Sequence, residues 1–244
     1  MTDLWYDDTG SGSPLVLLHV GVVDSRIWDP VMPLLGGRYR LIRYDQRGFG
    51  RSPAPDGPYS VVDDLVSVLD AAGVERATLV GCSRGGGIAL TTAVERPERV
   101  AALVLVGSGL PGQPLHVEWT PEQIARWEAA DESGDFAAMA ALDMEIWAPM
   151  GADEGLRAQF LENAEGSNSK HATTDEPVAE RLREVAAPTL VITAGRDVRA
   201  INDIGERLAR EIPDARHAVI DEADHMVPWR TPDELARLIS EFLH

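Results

Sequence analysis

The chain has 244 residues, 44% of them hydrophobic and 25% charged, with a formal net charge of −18. That length and apolar content suit one α/β domain with a small insertion, and they exclude a chain disordered throughout. The acidity argues against nucleic acid and anionic membrane as partners, because the protein's field repels both.

In chain order, short apolar runs alternate with helical patterns. Residues 14–19 read as a buried strand, 26–35 as a helix, 39–45 as an alternating strand and 61–72 as a helix closed by Gly73. A strand at 77–81, a helix at 84–96 stopped by Pro97 and a fully apolar strand at 100–107 follow. This βαβαβ order predicts a parallel sheet with helices on both faces. The rhythm breaks between about 111 and 185, where 121–132, 135–147 and 154–165 read as helices and 166–177 as a mobile loop. It resumes with a strand at 189–194, a helix at 202–212, a strand at 215–220 and a final helix at 231–243. The expected organisation is a sheet domain formed by residues 1–110 and 186–244, carrying a helical insertion at 111–185.

Cys82 is the one cysteine, so no intrachain disulfide and no cysteine-built metal site is expected. The first residues lack the basic and apolar regions of a secretory signal. The longest apolar runs fall far short of the roughly 20 residues a membrane helix needs. A soluble, cytoplasmic protein is the expectation. Lys170 is the sole lysine, which reads as genome bias or as salt adaptation.

The chemistry concentrates at Gly81-Cys82-Ser83-Arg84-Gly85. This G-x-S-x-G lies between a strand and a helix, where a tight turn lifts a serine hydroxyl out at the carboxyl edge of the sheet. A bare match to the pattern is weak, and the strand–turn–helix context is what makes it specific. A nucleophilic serine needs a base, and the base needs an orienting acid. His225 lies in a loop that opens at the same edge, after the strand at 215–220. Asp197 follows the strand at 189–194 at that edge, whereas Asp221 and Asp224 read as solvated loop neighbours. Two backbone N–H groups must face the developing oxyanion. One comes from Arg84; the other comes from the His19-Val20-Gly21-Val22 turn, with Gly21 favoured and Val20 or Val22 as alternatives. His19 reads as structural, bonding nearby loop backbone, and Cys82 as a small apolar side chain facing away from Ser83.

The stretches LVLLHVG, RLIRYDQRGFGRSPAP, ATLVGCSRGGGIALTTAVERPERVAALVLVGSG, APTLVITAGRD and ADHMVPWRTPDELARLISEFL resemble the α/β-hydrolase fold along the whole sheet domain. Within that fold the chain is most similar to small ester and enol-lactone hydrolases of the 3-oxoadipate enol-lactonase type. The resemblance implies a mostly parallel, doubly wound sheet with a small helical cap inserted after the sixth strand. It also implies a Ser83–Asp197–His225 triad under a cap at 111–185, no cofactor and no metal, and a small-molecule partner; self-association stays open. The chain departs from the pattern at Val20, at Arg84 and at Asp224, where relatives usually carry glycine before the histidine. Arg84 is placed to hold a substrate carboxylate or to pair with a cap acid such as Asp143 or Glu145. Trp119, Trp127, Trp147, Met139 and Met144 are candidate pocket walls, with Trp127 and Trp147 the substrate-binding choices. The expected activity is hydrolysis of a small or medium carboxylic ester or lactone through an acyl-enzyme on Ser83. The same triad also serves C–C bond or thioester hydrolysis or a biosynthetic tailoring step, and a non-catalytic ligand-binding role is the alternative of another kind.

Overall fold

A computed structural model describes residues 2–168 and 171–244. The first half of the chain lays down strands β1 (Tyr6–Gly10), β2 (Ser13–Leu18), β3 (Tyr39–Tyr44), β4 (Ala77–Cys82) and β5 (Val100–Val106), with helices α1 (Met32–Leu35), α2 (Val61–Ala71) and α3 (Arg84–Glu95) between them. Helices α4 (Pro121–Ser133), α5 (Phe136–Trp147), α6 (Glu154–Glu162) and α7 (Ala164–Ser167) follow. The sheet then closes with β6 (Thr189–Ala194), α8 (Arg199–Glu211), β7 (Ala215–Ile220), α9 (Val227–Arg230) and α10 (Pro232–Phe242).

The seven strands are ordered β1-β3-β2-β4-β5-β6-β7. Only β1 runs antiparallel, against β3; all other pairings are parallel. Alternate side chains feed two cores, as period-two strands covered on both faces must. Val16, Leu18, Leu79, Leu103 and Leu105 join one core with Leu65, Ile88 and Leu208, while Leu15, Leu17, Val80, Val104 and Val106 join the other with Trp28, Leu235 and Ile239. Because β2 to β7 all point the same way, the residues just after β2, β4, β5, β6 and β7 collect at one edge. The chain reverses direction across the sheet between β2 and β4, which is where open α/β sheets leave a crevice.

Several expectations need correction. The helical insertion follows the fifth strand in chain order, not the sixth, because a single antiparallel strand precedes β2. That strand, β1, is half polar and outward-facing, and its sequence carries no apolar run to announce it. The helix expected at 26–35 splits into a 3-10 turn at Ser25–Trp28 and the short α1, since Pro30 and Pro33 lack the N–H a continuous helix needs. The helix expected at 154–165 breaks at Asn163, whose amide leaves the helix to donate to Asp24 Oδ2 at 2.9 Å and to accept from Gly50 N at 2.8 Å. The stretch 166–177, expected to be mobile, is partly helical at Gly166–Ser167 and anchored further on. There Thr174 N donates to Tyr59 O at 2.9 Å, and the Asp175 carboxylate accepts from Ser60 Oγ and from Val61 and Val62 N at the start of α2. Lys170 lies outside the described residues. No helix among those described is long and apolar enough to cross a membrane.

Candidate active site

The turn from β4 into α3 is tightly packed. Ser83 has φ 54°, the one positive φ outside glycine among the described residues. Such a conformation costs a side-chain-bearing residue about 1–3 kcal/mol and persists only where its surroundings enforce it. Here Ser83 N donates to Val106 O at 3.0 Å, while Ser83 O accepts from Gly87 N and Gly109 N. The flanking glycines are a steric requirement: a Cβ on Gly81 would stand 2.3 Å from Gly85 O, and one on Gly85 would stand 2.3 Å from Leu18 O. The serine is thus held at the mouth of a helix N-terminus, where N–H groups lack helical acceptors.

Asp197 follows β6 and His225 follows β7. His225 Nδ1 donates to Asp197 Oδ2 at 2.8 Å, and both side chains are buried. A carboxylate only accepts, so this bond puts the proton on Nδ1 and leaves Nε2 free as a base. Asp197 Oδ1 accepts from Val198 N at 2.7 Å, which fixes the carboxylate plane. Gly107 leaves room for the pair, since a Cβ there would lie 3.1 Å from Asp197 Oδ2 and 3.4 Å from His225 Nδ1. The His225 loop is joined to the serine turn through the Cys82 thiol, which donates to His225 O at 3.8 Å. Burial raises the Cys82 thiol well above its ordinary pKa, so it is an inert packing group.

The turn after β2 closes the other side. His19 Nδ1 donates to Val20 O at 2.7 Å and Nε2 accepts from Gln46 N at 2.9 Å, which makes His19 a neutral structural ring. Burial lowers its pKa, in the same direction. Gly21 packs directly on the Arg84 side chain, its hypothetical Cβ lying 3.3 Å from Arg84 Cδ and 3.4 Å from Arg84 Cβ. The two expected oxyanion donors therefore lie on adjoining turns.

Arg84 does not pair with a cap acid. Its Nε donates to Gln46 Oε1 at 2.9 Å and its Nη2 to the Tyr59 hydroxyl at 2.6 Å. Glu145 is taken by Arg126, and Asp143 bonds Ser167. Among the described residues, Arg84 is the one arginine that is shielded from solvent yet lacks a carboxylate partner. Trp147 is carried to His225, its ring 4.7 Å from the imidazole and tilted by 40°. Trp127 instead stands edge-on to Trp119 at 6.5 Å and is exposed. Asp224 is a further correction: it is buried, not solvated, and pairs with Arg230. Sequence reasoning also passed over Gln46, Tyr59 and Gly107. Gln46 sat in view, in the RYDQRG stretch, but its partners are His19 and Arg84, far along the chain.

The class follows from this fold and edge. Residues 13–232 match the α/β hydrolase fold family, and the chain belongs to it. A relative from Azorhizobium caulinodans, named as a carbamate hydrolase, is 31% identical over 98% of this chain and 94% of its own. A 2-hydroxy-6-oxononadienedioate/2-hydroxy-6-oxononatrienedioate hydrolase from Burkholderia vietnamiensis is 33% identical, over 98% and 90%. Among solved structures, the enol-lactonase from Burkholderia xenovorans LB400 superposes with a TM-score of 0.82 at 26% identity, covering 98% of this chain and 96% of that one.

Proposed function

We propose that this protein is a serine hydrolase of small or medium carboxylic esters or lactones. The observation that carries the reading is the strained Ser83 turn beside the buried Asp197–His225 pair. Ser83 Oγ attacks the carbonyl and His225 Nε2 takes its proton. Asp197 orients the imidazole and stabilises its cation. The N–H groups of Gly21 and Arg84 face the oxyanion, each worth roughly 3 kcal/mol in a site of this kind. His225 returns the proton to the leaving oxygen, then activates the water that frees the acid. No step calls for a cofactor or metal. Residues 111–185 act as a cap that selects the substrate, with Trp147 as its apolar wall.

Arg84 supplies the specificity on this reading. A guanidinium whose partners are both neutral keeps its charge uncompensated, and its Nη1 remains for a substrate carboxylate. Arg84→Met should raise KM for acidic esters about tenfold and leave neutral esters nearly unchanged; equal effects on both would remove the assignment. A second reading keeps the triad and cleaves a C–C bond beside a ketone. The relative named for dienedioate hydrolysis favours it.

The deciding experiment is fluorophosphonate labelling with peptide mapping, followed by product analysis on esters, lactones and ring-opened dienoate ketones. One adduct on Ser83, lost in Ser83→Ala and strongly slowed in His225→Ala, supports a serine hydrolase. Turnover confined to the ketones would replace the ester reading with the C–C one.

A further inference from the structure

Asp224 is fully committed in this chain. Its Oδ1 accepts from Met226 N at 3.1 Å and from Arg230 Nε at 3.0 Å. Its Oδ2 accepts from Arg230 Nη2 at 2.9 Å and from Met150 N at 3.2 Å. Arg230 Nη2 also donates to Gly151 O. The pair therefore reaches out of its own loop to two backbone groups of the segment that leaves α5. Contacts on either side repeat the connection. Trp229 Nε1 donates to Asp153 Oδ2 at 3.0 Å, and the Trp229 ring packs on Gly155, 3.3 Å from where a Cβ would stand. Trp147, three residues before Met150, stacks on His225 itself.

We infer that Asp224 and Arg230 are positioning residues that clamp the His225 loop to the segment 147–155, so that the base and this part of the insertion move as one body. The inference deepens the proposed function and rests on its assignment of His225 as the base. Asp197 holds the imidazole at Nδ1, and the position of the ring then depends on the loop backbone that carries it. A bidentate carboxylate–guanidinium pair has the fixed fork geometry that such a task needs. In a buried site the pair specifies an arrangement more than it adds stability. The arrangement specified here has Trp147 against one side of the imidazole and the 224–230 loop behind it.

The test uses the full chain with Arg230→Gln, Arg230→Lys and Asp224→Asn, assayed well below their melting temperatures. Three quantities are read: kcat and KM on an ester substrate, the rate of fluorophosphonate labelling at Ser83, and amide hydrogen exchange. Arg230→Gln should lower kcat and the labelling rate together, tenfold or more, with KM within twofold. Exchange should quicken in both 147–155 and 224–230. Arg230→Lys, which keeps the charge but loses the fork, should recover only part of the rate. If Arg230→Gln does not fold, Asp224→Asn, which keeps the side-chain volume, should show the same pattern. A fall in melting temperature with unchanged kcat and labelling would overturn the inference, as would faster exchange in 224–230 alone. If the wild-type protein fails to label, the serine hydrolase reading falls. The exchange result then decides the clamp by itself, with joint quickening for it and independent behaviour against it.

Discussion

Helices α3 and α4 belong to one chain and are nearly equal in length, yet they live in different environments. Ten of the twelve residues of α3 are buried, from Gly85 to Val94. Of the thirteen residues of α4, only Ala130 is buried. The reason is position. α3 follows the serine turn and packs between the sheet and α2, so every side chain meets protein. α4 lies on the insertion, where one face rests on α5 and the rest meets water. It is held by local devices: the Thr120–Gln123 capping box, Pro121 in the first turn and Gly134 as a left-handed C-cap. The lesson is a division of labour. The sheet edge is packed on all sides, the setting that the proposed triad needs. Helix α4 has little burial to lose, so its surface is free to differ without unfolding the chain.

Substitutions test that contrast, and the largest effect belongs to the edge. Ser83→Ala should abolish labelling and lower kcat by a factor on the order of 10⁴–10⁶, with the melting temperature held within about 2 °C. A matching loss of stability would mean that the turn depends on the hydroxyl, against the idea that backbone packing enforces it. Next come two glycines. Gly85→Ala places a methyl group 2.3 Å from the Leu18 carbonyl oxygen, and we expect a loss of about 3 kcal/mol by chemical denaturation. Gly134→Ala meets no atom within 4 Å and bears only the cost of its φ of 67°, about 1 kcal/mol. Equal losses at the two sites would erase the contrast.

Asp143 offers a second contrast within the insertion. It is half-buried on α5, and burial pushes its pKa up to about 6, against the pull of hydrogen bonds to Trp147 and Ser167. A folded-state pKa above the unfolded one means that the folded protein holds this proton more tightly, so stability falls as pH rises from about 4 through 6. Asp143→Asn should therefore be more stable than wild type at pH 8, by on the order of 2–3 kcal/mol, with the advantage vanishing below pH 4. Denaturation at the two pH values checks it, and a pH-independent difference would contradict the assignment. The smallest effect is expected at Ile124→Ser on exposed α4, within about 0.5 kcal/mol of wild type and without change in kcat. A large loss there would show that α4 is covered by something in solution, and the contrast with α3 would fail.

Most of the sheet and the strained serine turn were legible in the amino-acid sequence. Apolar runs of strand length, the G-x-S-x-G turn and acid and base positions after later strands are local patterns, and parallel strands bring such positions to one edge whatever the details. The helices of the insertion were legible for the same reason, since capping residues and 3.6-residue spacing act over a few positions. What only the tertiary structure decided are partnerships between side chains distant in sequence. Arg84 turned to Gln46 and Tyr59 and away from Asp143 and Glu145. Asn163 broke a helix to reach Asp24 and Gly50. Asp224, read as solvated beside its acidic neighbours, was buried with Arg230 and bonded to Met150. A charged or polar side chain finds its partner through the packing of the whole chain. Burial then makes that choice binding, because in the interior an unpaired group costs far more than at the surface.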